Sequence, residues 1–311
     1  GVTLTDAVQL AIIFVGVPIA ALLALGEAGG FEGIRVAIEA ESMQISADRY
    51  FLPLGAGLGL VLAAIVPTMM YTLIGQDFYQ RLFAARDENT AFRAAVAAGL
   101  LLVAFALFPV VTGMAARALF GPEIEAARAI PMLIDEVLPA WAAAIVIAAI
   151  LGAIMSTADS LLMAGTSHVT HDLYVNLIDP AAEQDSKRLL TISRIVTVVL
   201  GLLALAMALH FEAIIGLLLM SYTLYAAGVF IPVVGGLYWK RATAPGAIAA
   251  IVGGSGFGLA AELGWIAADS LPLIAGFPVI VTGALVSLVL FVAVSLVTRP
   301  AVAGEPDGTR S

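Results

Sequence analysis

Apolar windows of about 20 residues, the length that crosses a hydrocarbon core of about 30 Å as a helix, recur along this chain. Eight can be drawn: 4–25, 52–75, 94–115, 140–164, 191–209, 213–237, 246–264 and 273–297. In lipid each backbone N–H and C=O has to be satisfied within its own segment, so such windows become helices. The chain therefore reads as an all-α, polytopic membrane protein with about eight transmembrane helices. Composition agrees, with 61% hydrophobic residues, 12% charged residues and a mean hydropathy of +1.05.

Charge distribution gives an orientation. Arg81, Arg86, Arg93, Lys187, Arg188, Arg194, Lys240, Arg241, Arg299 and Arg310 fall on one side of the eight-span scheme, and Arg35, Arg49, Arg117 and Arg128 on the other. The positive-inside rule then puts the basic loops and both ends in the cytoplasm and the acidic loops around 26–51, 116–137 and 262–271 outside. The expected location is the cytoplasmic (inner) membrane, multi-pass, with membrane lipid as a partner. A net charge of −9 argues against nucleic acid. With no cysteine, disulfides, thiolate metal sites and thiol chemistry are excluded. No cleavable leader precedes the first window, and Gly1 stands almost at its edge, which leads to the expectation of a downstream part of something longer.

Several segments carry local signals. The 26–51 loop is expected to hold a short surface helix. The second window contains Pro53, Gly55, Gly57, Gly59 and Pro67, a density of helix-weakening residues that suits either an interrupted helix lining a cavity or the general enrichment of Gly and Pro in membrane helices. Asp77 to Arg93 is amphipathic and reads as a connector. Pro109 marks a kink in the third span. From Pro139 the helical pattern runs on to about Ile178, to be ended by Asp179-Pro180. Gly254 and Gly258 form a small-xxx-small pair suited to helix packing. Tyr238 and Trp239 read as an interface anchor, and Tyr222 and Tyr225 as core packing or cavity lining. The spans form one transmembrane domain, 1–298, and the tail, 299–311, reads as disordered.

The chemistry concentrates in GAIMSTADSLLMAGTSHVTHDLY, residues 152–174. On a wheel of about 100° per residue, Ala149, Gly152, Ala153, Ser160, Met163 and Ser167 gather around Ser156, and Ile150, Leu151, Ile154, Met155, Ala158, Leu161 and Leu162 take the opposite face. The small face lets another backbone approach, and hydroxyls plus a carbonyl offer hard oxygen donors. Ser156, Thr157 and the Ala153 carbonyl could give a monovalent cation three oxygens from one turn, the rest coming from an interrupted neighbour. The alternative is ordinary back-bonding of each hydroxyl to its own helix. Asp159 stands in the interior of a span, where an ionisable group points to a cation ligand, a proton carrier or a polar partner on another helix. Asp6, at the edge of the first span, is open between that role and a dipole-favoured position at a helix start. A metal held by His168 and His171 at i, i+3, with Asp172 beside them, is disfavoured for want of further ligands.

Four segments, TDAVQ at 5–9, GQDFYQRLFAARD at 75–87, AIMSTADSLLMAGTSHVTHDLY at 153–174 and GVFIPVVGGLYWKRATAPGA at 228–247, resemble the sodium:solute symporter family of proline, pantothenate, iodide and sodium–glucose carriers. The resemblance implies a LeuT-like fold of five-plus-five inverted repeats. By matching, the first span corresponds to core helix 5, spans two to six to core helices 6–10, and the last two to C-terminal additions. Core helices 1–4 are absent, so the missing N-terminal helices of the same transporter are implied partners. The family's sodium site falls on Ala153, Ser156 and Thr157, and a second cation or proton path on Asp6 and Asp159. Candidates for the solute cavity are Thr68, Tyr71, Thr72 and Gln76. The implied activity is sodium-coupled symport of a small polar organic solute, with Na⁺ as coupling ion and no cofactor. A transporter-like membrane sensor is the alternative. An intramembrane hydrolase built on Asp6 and Asp159 is set aside, because neither HExxH nor GxSxG nor an aspartyl-protease context accompanies them.

Overall fold

The computed structural model describes residues 2–40, 46–55, 57–210, 214–266 and 278–298. Among them every regular element is helical. In chain order these are α1 (Val2–Glu27), α2 (Gly30–Ala40), α3 (Ala47–Tyr50), α4 (Leu58–Ile74), α5 (Gln76–Phe83), α6 (Glu88–Phe105), α7 (Leu107–Phe120), α8 (Ala126–Met132), α9 (Ala140–Ser167), α10 (Ser186–Ala208), α11 (Ile214–Tyr238), α12 (Ala244–Glu262) and α13 (Val279–Val297). Two stretches of π-helix, Leu133–Val137 and His168–Ile178, and a 3₁₀ turn at Pro180–Gln184 complete the set.

Among the described residues seven helical stretches are long and apolar enough to cross a membrane, and Ala64–Ile74 is a shorter apolar helix. The shorter one belongs to the second expected span. Its helix starts only at Leu58, because residues 51–55 are turns and Gly57 has φ of 96°, in the left-handed region that side chains avoid. The third span reaches back to Glu88, where Asp87 caps α6 by accepting from the Thr90 amide at 2.8 Å and its hydroxyl at 2.9 Å. Pro109 stands just inside α7. Without an N–H it cannot bond the Phe105 carbonyl, and the helix is interrupted at Ala106 between α6 and α7.

The chain divides into two compact units, residues 1–56 with 80–202, and residues 57–79 with 203–311. In the first, α1 packs chiefly along α9 and α7. α1 and α9 meet through small residues: a Cβ on Gly16 would lie 2.5 Å from the Ala149 Cβ and 3.0 Å from the Ile145 carbonyl oxygen, so only glycine permits this approach. α2 is the expected surface helix, and its Ile34 and Ile38 are buried with Ala24, Ala115, Ala116 and Leu133.

The expected long helix runs from Ala140 to Ile178, but its last eleven residues are wound as π-helix rather than α. It ends at Asp179-Pro180 as anticipated. In the π stretch His168 Nδ1 pairs with Asp172 Oδ2 at 2.7 Å rather than sharing a ligand with His171, and no group of three or more His, Cys, Asp or Glu suited to a metal occurs among the described residues.

The second unit is built on α11, α12 and α13, with α4 against α11. Gly254 and Gly258 are packing positions: a Cβ on Gly254 would meet the Ala227 carbonyl and lie 2.8 Å from Ser287 Cβ, and one on Gly258 would lie 3.2 Å from Thr223 Cγ2. Trp239 sets its ring edge-on to Phe291, centroids 5.5 Å apart. The expected last loop and tail, 267–277 and 299–311, lie outside the described residues.

Candidate functional site

The oxygen-bearing turn of α9 falls in the first unit, where α1 crosses it. Its small face is buried at Ala142, Ala149 and Gly152, and the greasy face is exposed, with Leu151, Ile154 and Met155 each more than half accessible. A greasy exposed face with a small covered one is the arrangement lipid selects. Met163, expected with the small face, is exposed.

Ser156 Oγ donates to the Ala153 carbonyl at 3.1 Å and Thr157 Oγ1 to the same oxygen at 3.0 Å. Ser160 Oγ donates to the Ser156 carbonyl at 2.9 Å. This is the back-bonding that hydroxyls in helices commonly adopt. Each bond uses the hydroxyl hydrogen and leaves the lone pairs of Ser156 and Thr157 available to a cation. The Ala153 carbonyl accepts both hydroxyls besides the amide of its own helix, so it would serve a cation only as one of the hydroxyls turns. Ser156 is half-buried and Thr157 exposed.

Asp6 on α1 and Arg81 on α5 converge on this turn. Arg81 Nη2 donates to Ser160 Oγ at 2.6 Å and stands 3.4 Å from Asp6 Oδ2. The guanidinium thus ties α1 to α9 through one hydroxyl and one carboxylate. Asp6 is the better buried partner, its side chain 24% exposed against 56% for Arg81. Its second oxygen, Oδ1, is buried and accepts no hydrogen bond, and neither does Oε1 of Gln9 one turn along α1. Leaving a buried polar atom unpaired costs about 1–3 kcal/mol. A cavity of about 430 Å³ opens here, lined by Asp6, Ala7, Leu10, Ile13, Arg81 and Ser156. A larger one of about 560 Å³ in the same unit is walled mostly by apolar groups such as Val17, Ala20, Val146 and Ile150.

Asp159 stands apart from this network. It is half-buried and makes no hydrogen bond or ion pair with another described residue, so the Asp6 carboxylate meets Arg81 and not a second acid. Arg81 and Gln9 were missed from the sequence. Arg81 reads as one more basic connector residue, and its partner Asp6 lies 75 residues away. Gln9 could have been found, since its i, i+3 spacing from Asp6 puts both on one face of α1.

The solute-cavity candidates belong to the second unit. Thr68 and Thr72 are exposed and donate to the Ala64 and Thr68 carbonyls at 2.8 and 2.7 Å. Tyr71 stacks on Tyr222 with centroids 4.7 Å apart, meets Tyr225 edge-on at 5.7 Å, and donates its hydroxyl to Asp77 Oδ1 at 3.2 Å. Tyr225 in turn donates to the Ile74 carbonyl at 3.2 Å. Gln76 opens α5 and is half-buried.

The sodium:solute symporter family model matches residues 1–254. The sodium/pantothenate symporter of Escherichia coli is 43% identical over 130 residues, which are 41% of this chain and 27% of that protein. The osmoregulated proline transporter of Bacillus subtilis is 28% identical over 313 residues, 96% of this chain and 60% of the relative. Among solved structures, a substrate-bound, outward-open Na⁺-coupled sialic acid symporter superposes with a TM-score of 0.72 over 96% of this chain and 63% of its own, at 19% identity. That likeness concerns the fold, which is LeuT-like. The chain spans less than two thirds of the length of each of these proteins. With a match over most of its residues to the family model, the chain belongs to the sodium:solute symporter family.

Proposed function

We propose that this chain carries the coupling-ion seat of a sodium-driven secondary active symporter, which moves a small polar organic solute across the cytoplasmic membrane together with helices beyond the present sequence. The supporting observation is that Ser156, an oxygen donor of the α9 turn, lines one cavity with the Asp6 carboxylate. Hydroxyl oxygens beside one partly neutralised carboxylate suit a monovalent ion, since divalent cations usually recruit several carboxylates. Ala153, Ser156 and Thr157 form the seat, and Asp6 with Asp159 the path by which the ion or a proton leaves toward the basic loops. Arg81, pulling on Asp6 and Ser160, keeps that path occupied when the ion is absent.

The solute is met by Thr68, Tyr71, Thr72 and Gln76. Thr68 and Thr72, at i and i+4, keep free lone pairs on one face of α4, and the stacked tyrosines offer an aromatic wall to an organic solute. The energetic drive is the ion's own gradient: one charge moving across 100 mV releases about 2.3 kcal/mol. No covalent step is involved. These carriers resemble relatives whose names specify pantothenate and proline, and a small carboxylated solute is the corresponding class.

The test is sodium-dependent uptake, in proteoliposomes of the longest polypeptide carrying this sequence, by Ser156→Ala and Thr157→Ala variants. Loss of one oxygen ligand to a charged partner is worth about 1.5–3 kcal/mol, or a rise of about ten- to a hundredfold in the half-saturating sodium concentration. Unchanged sodium dependence in both variants would falsify the assignment.

A further inference from the structure

Gln9 sits one turn along α1 from Asp6, and residues three apart on a helix have Cβ atoms about 5–6 Å from each other. Its stem rests on α9: a Cβ on Gly152 would lie 3.6 Å from Gln9 Cβ and 3.7 Å from its Cγ. The contacts Gly16 with Ala149 and Gln9 with Gly152 show that α1 and α9 run antiparallel, so the Gln9 amide stands at the level of the turn that begins at Ala153. Its Oε1 is buried and unpaired, as is Asp6 Oδ1.

Buried side-chain amides in folded proteins are nearly always hydrogen-bonded, and membrane interiors allow fewer exceptions. The α1–α9 contact could be filled by an apolar side chain of the same length without any polar atom to satisfy. Two acceptor oxygens without donors stand on one helix face, and Asp6 shares its cavity with the Ser156 hydroxyl, an arrangement that lacks a positive guest. Arg81 is already committed to Asp6 Oδ2 and Ser160.

We propose that the side-chain carbonyl of Gln9 is a ligand of the coupling cation, linking the α9 turn to Asp6 and setting how tightly the ion is held. The proposal rests on the sodium reading of the Ala153–Thr157 turn and adds a ligand from α1. One neutral amide oxygen and one carboxylate already bridged to arginine give a net field suited to a single positive charge. Gly152 matters to the arrangement because a side chain larger than alanine there would displace the glutamine stem.

The experiment is equilibrium binding of ²²Na⁺ to the longest polypeptide carrying this sequence, purified in lipid nanodiscs, with the sodium-induced rise in melting temperature as a second readout. Gln9→Leu keeps the shape and removes the oxygen; it should weaken binding about tenfold and shrink the thermal shift. Gln9→Glu restores an oxygen at the same place and should bind at least as tightly as the unsubstituted protein. Ser156→Ala and Thr157→Ala report on the parent reading.

The proposal is overturned if Gln9→Leu binds ²²Na⁺ normally while Ser156→Ala is weakened, or if Gln9→Leu and Gln9→Glu lose binding equally, since the loss would then follow shape and not oxygen. Normal binding by Ser156→Ala and Thr157→Ala with a weakened Gln9→Leu overturns the parent seat alone. Absence of saturable binding in that unsubstituted polypeptide overturns both. If Gln9→Leu does not fold, Gln9→Met carries the same comparison.

Discussion

The seam between α1 and α9 and the seam among α11, α12 and α13 use the same device, small residues that let helix backbones touch, yet they treat their polar groups in opposite ways. In the second unit several hydroxyls reach across to a partner, although buried Thr282 donates to the Val279 carbonyl of its own helix. Ser255 donates to the Leu224 carbonyl at 2.8 Å, Ser287 to the Gly228 carbonyl at 3.3 Å, and Thr243 shares hydrogen bonds with Ser295 at 3.3 Å and Thr298 at 2.7 Å. In the first unit the α1 face keeps Asp6 Oδ1 and Gln9 Oε1 buried and unpaired, and Asp6 lines a cavity. Hydroxyls that are satisfied across a helix pair are packing glue. Oxygens that stay unsatisfied where lipid makes that expensive are where the ligand is proposed.

Several substitutions break or sharpen that contrast, beginning with glycine to alanine in each seam. At Gly254 the new methyl meets the Ala227 carbonyl and Ser287 Cβ, so the helices must separate, and overpacking of this kind costs about 3 kcal/mol or more. At Gly152 the nearest atom is 3.6 Å away, an ordinary contact, and the gain in helix propensity of up to about 1 kcal/mol is kept. Thermal unfolding in detergent should therefore show a large drop for Gly254→Ala and an unchanged or slightly raised midpoint for Gly152→Ala. Equal drops would mean that both seams are filled in the same way.

A smaller effect separates a bonded hydroxyl from an unbonded amide. Ser255→Ala removes an interhelical bond and should lower stability by about 1 kcal/mol, a size typical of such bonds in membranes, whereas the unpaired Gln9 amide has no bond to lose on conversion to leucine. Denaturant titration of the two variants gives the comparison, and a larger loss at Gln9 would assign it a structural bond.

The smallest effect lies outside both seams, at the start of α6. The Thr90 amide and hydroxyl hold the Asp87 carboxyl below the usual carboxylate range. A group with a lowered folded-state pKa contributes above its unfolded value and loses that contribution as pH falls through the folded one. Hydrogen exchange of amides 88–92 should thus accelerate only under acid conditions, and Asp87→Asn should flatten the response while keeping the cap. Pairing of this cap with either seam would show as a change in the global melting temperature, which is not expected.

Much of this was legible from residues alone. The apolar windows gave the spans, Pro109 the interruption at Ala106, Asp179-Pro180 the end of the long helix, and the Gly254–Gly258 pair a packing face, because each depends on backbone or side-chain properties within a turn or two. Pro53, Gly55 and Gly57 leave α4 to begin only at Leu58, which an apolar window running from 52 could not register. The π winding of His168–Ile178 left no mark in composition. Back-bonding of Ser156 and Thr157 is one of the two alternatives their residue types leave open, and it is the one the helix adopts.

The order of residues by itself determined an all-helical membrane protein with one polar turn on a small face of α9, because lipid demands helices and hydrocarbon makes stray oxygens conspicuous. Only the tertiary structure decided which groups face that turn. Arg81 reaches Asp6 across 75 positions, and Gln9 meets Gly152 across 143, through the antiparallel register of α1 and α9. That register is set by where glycine and alanine let two backbones come together, a property of the pair of helices and of neither one alone.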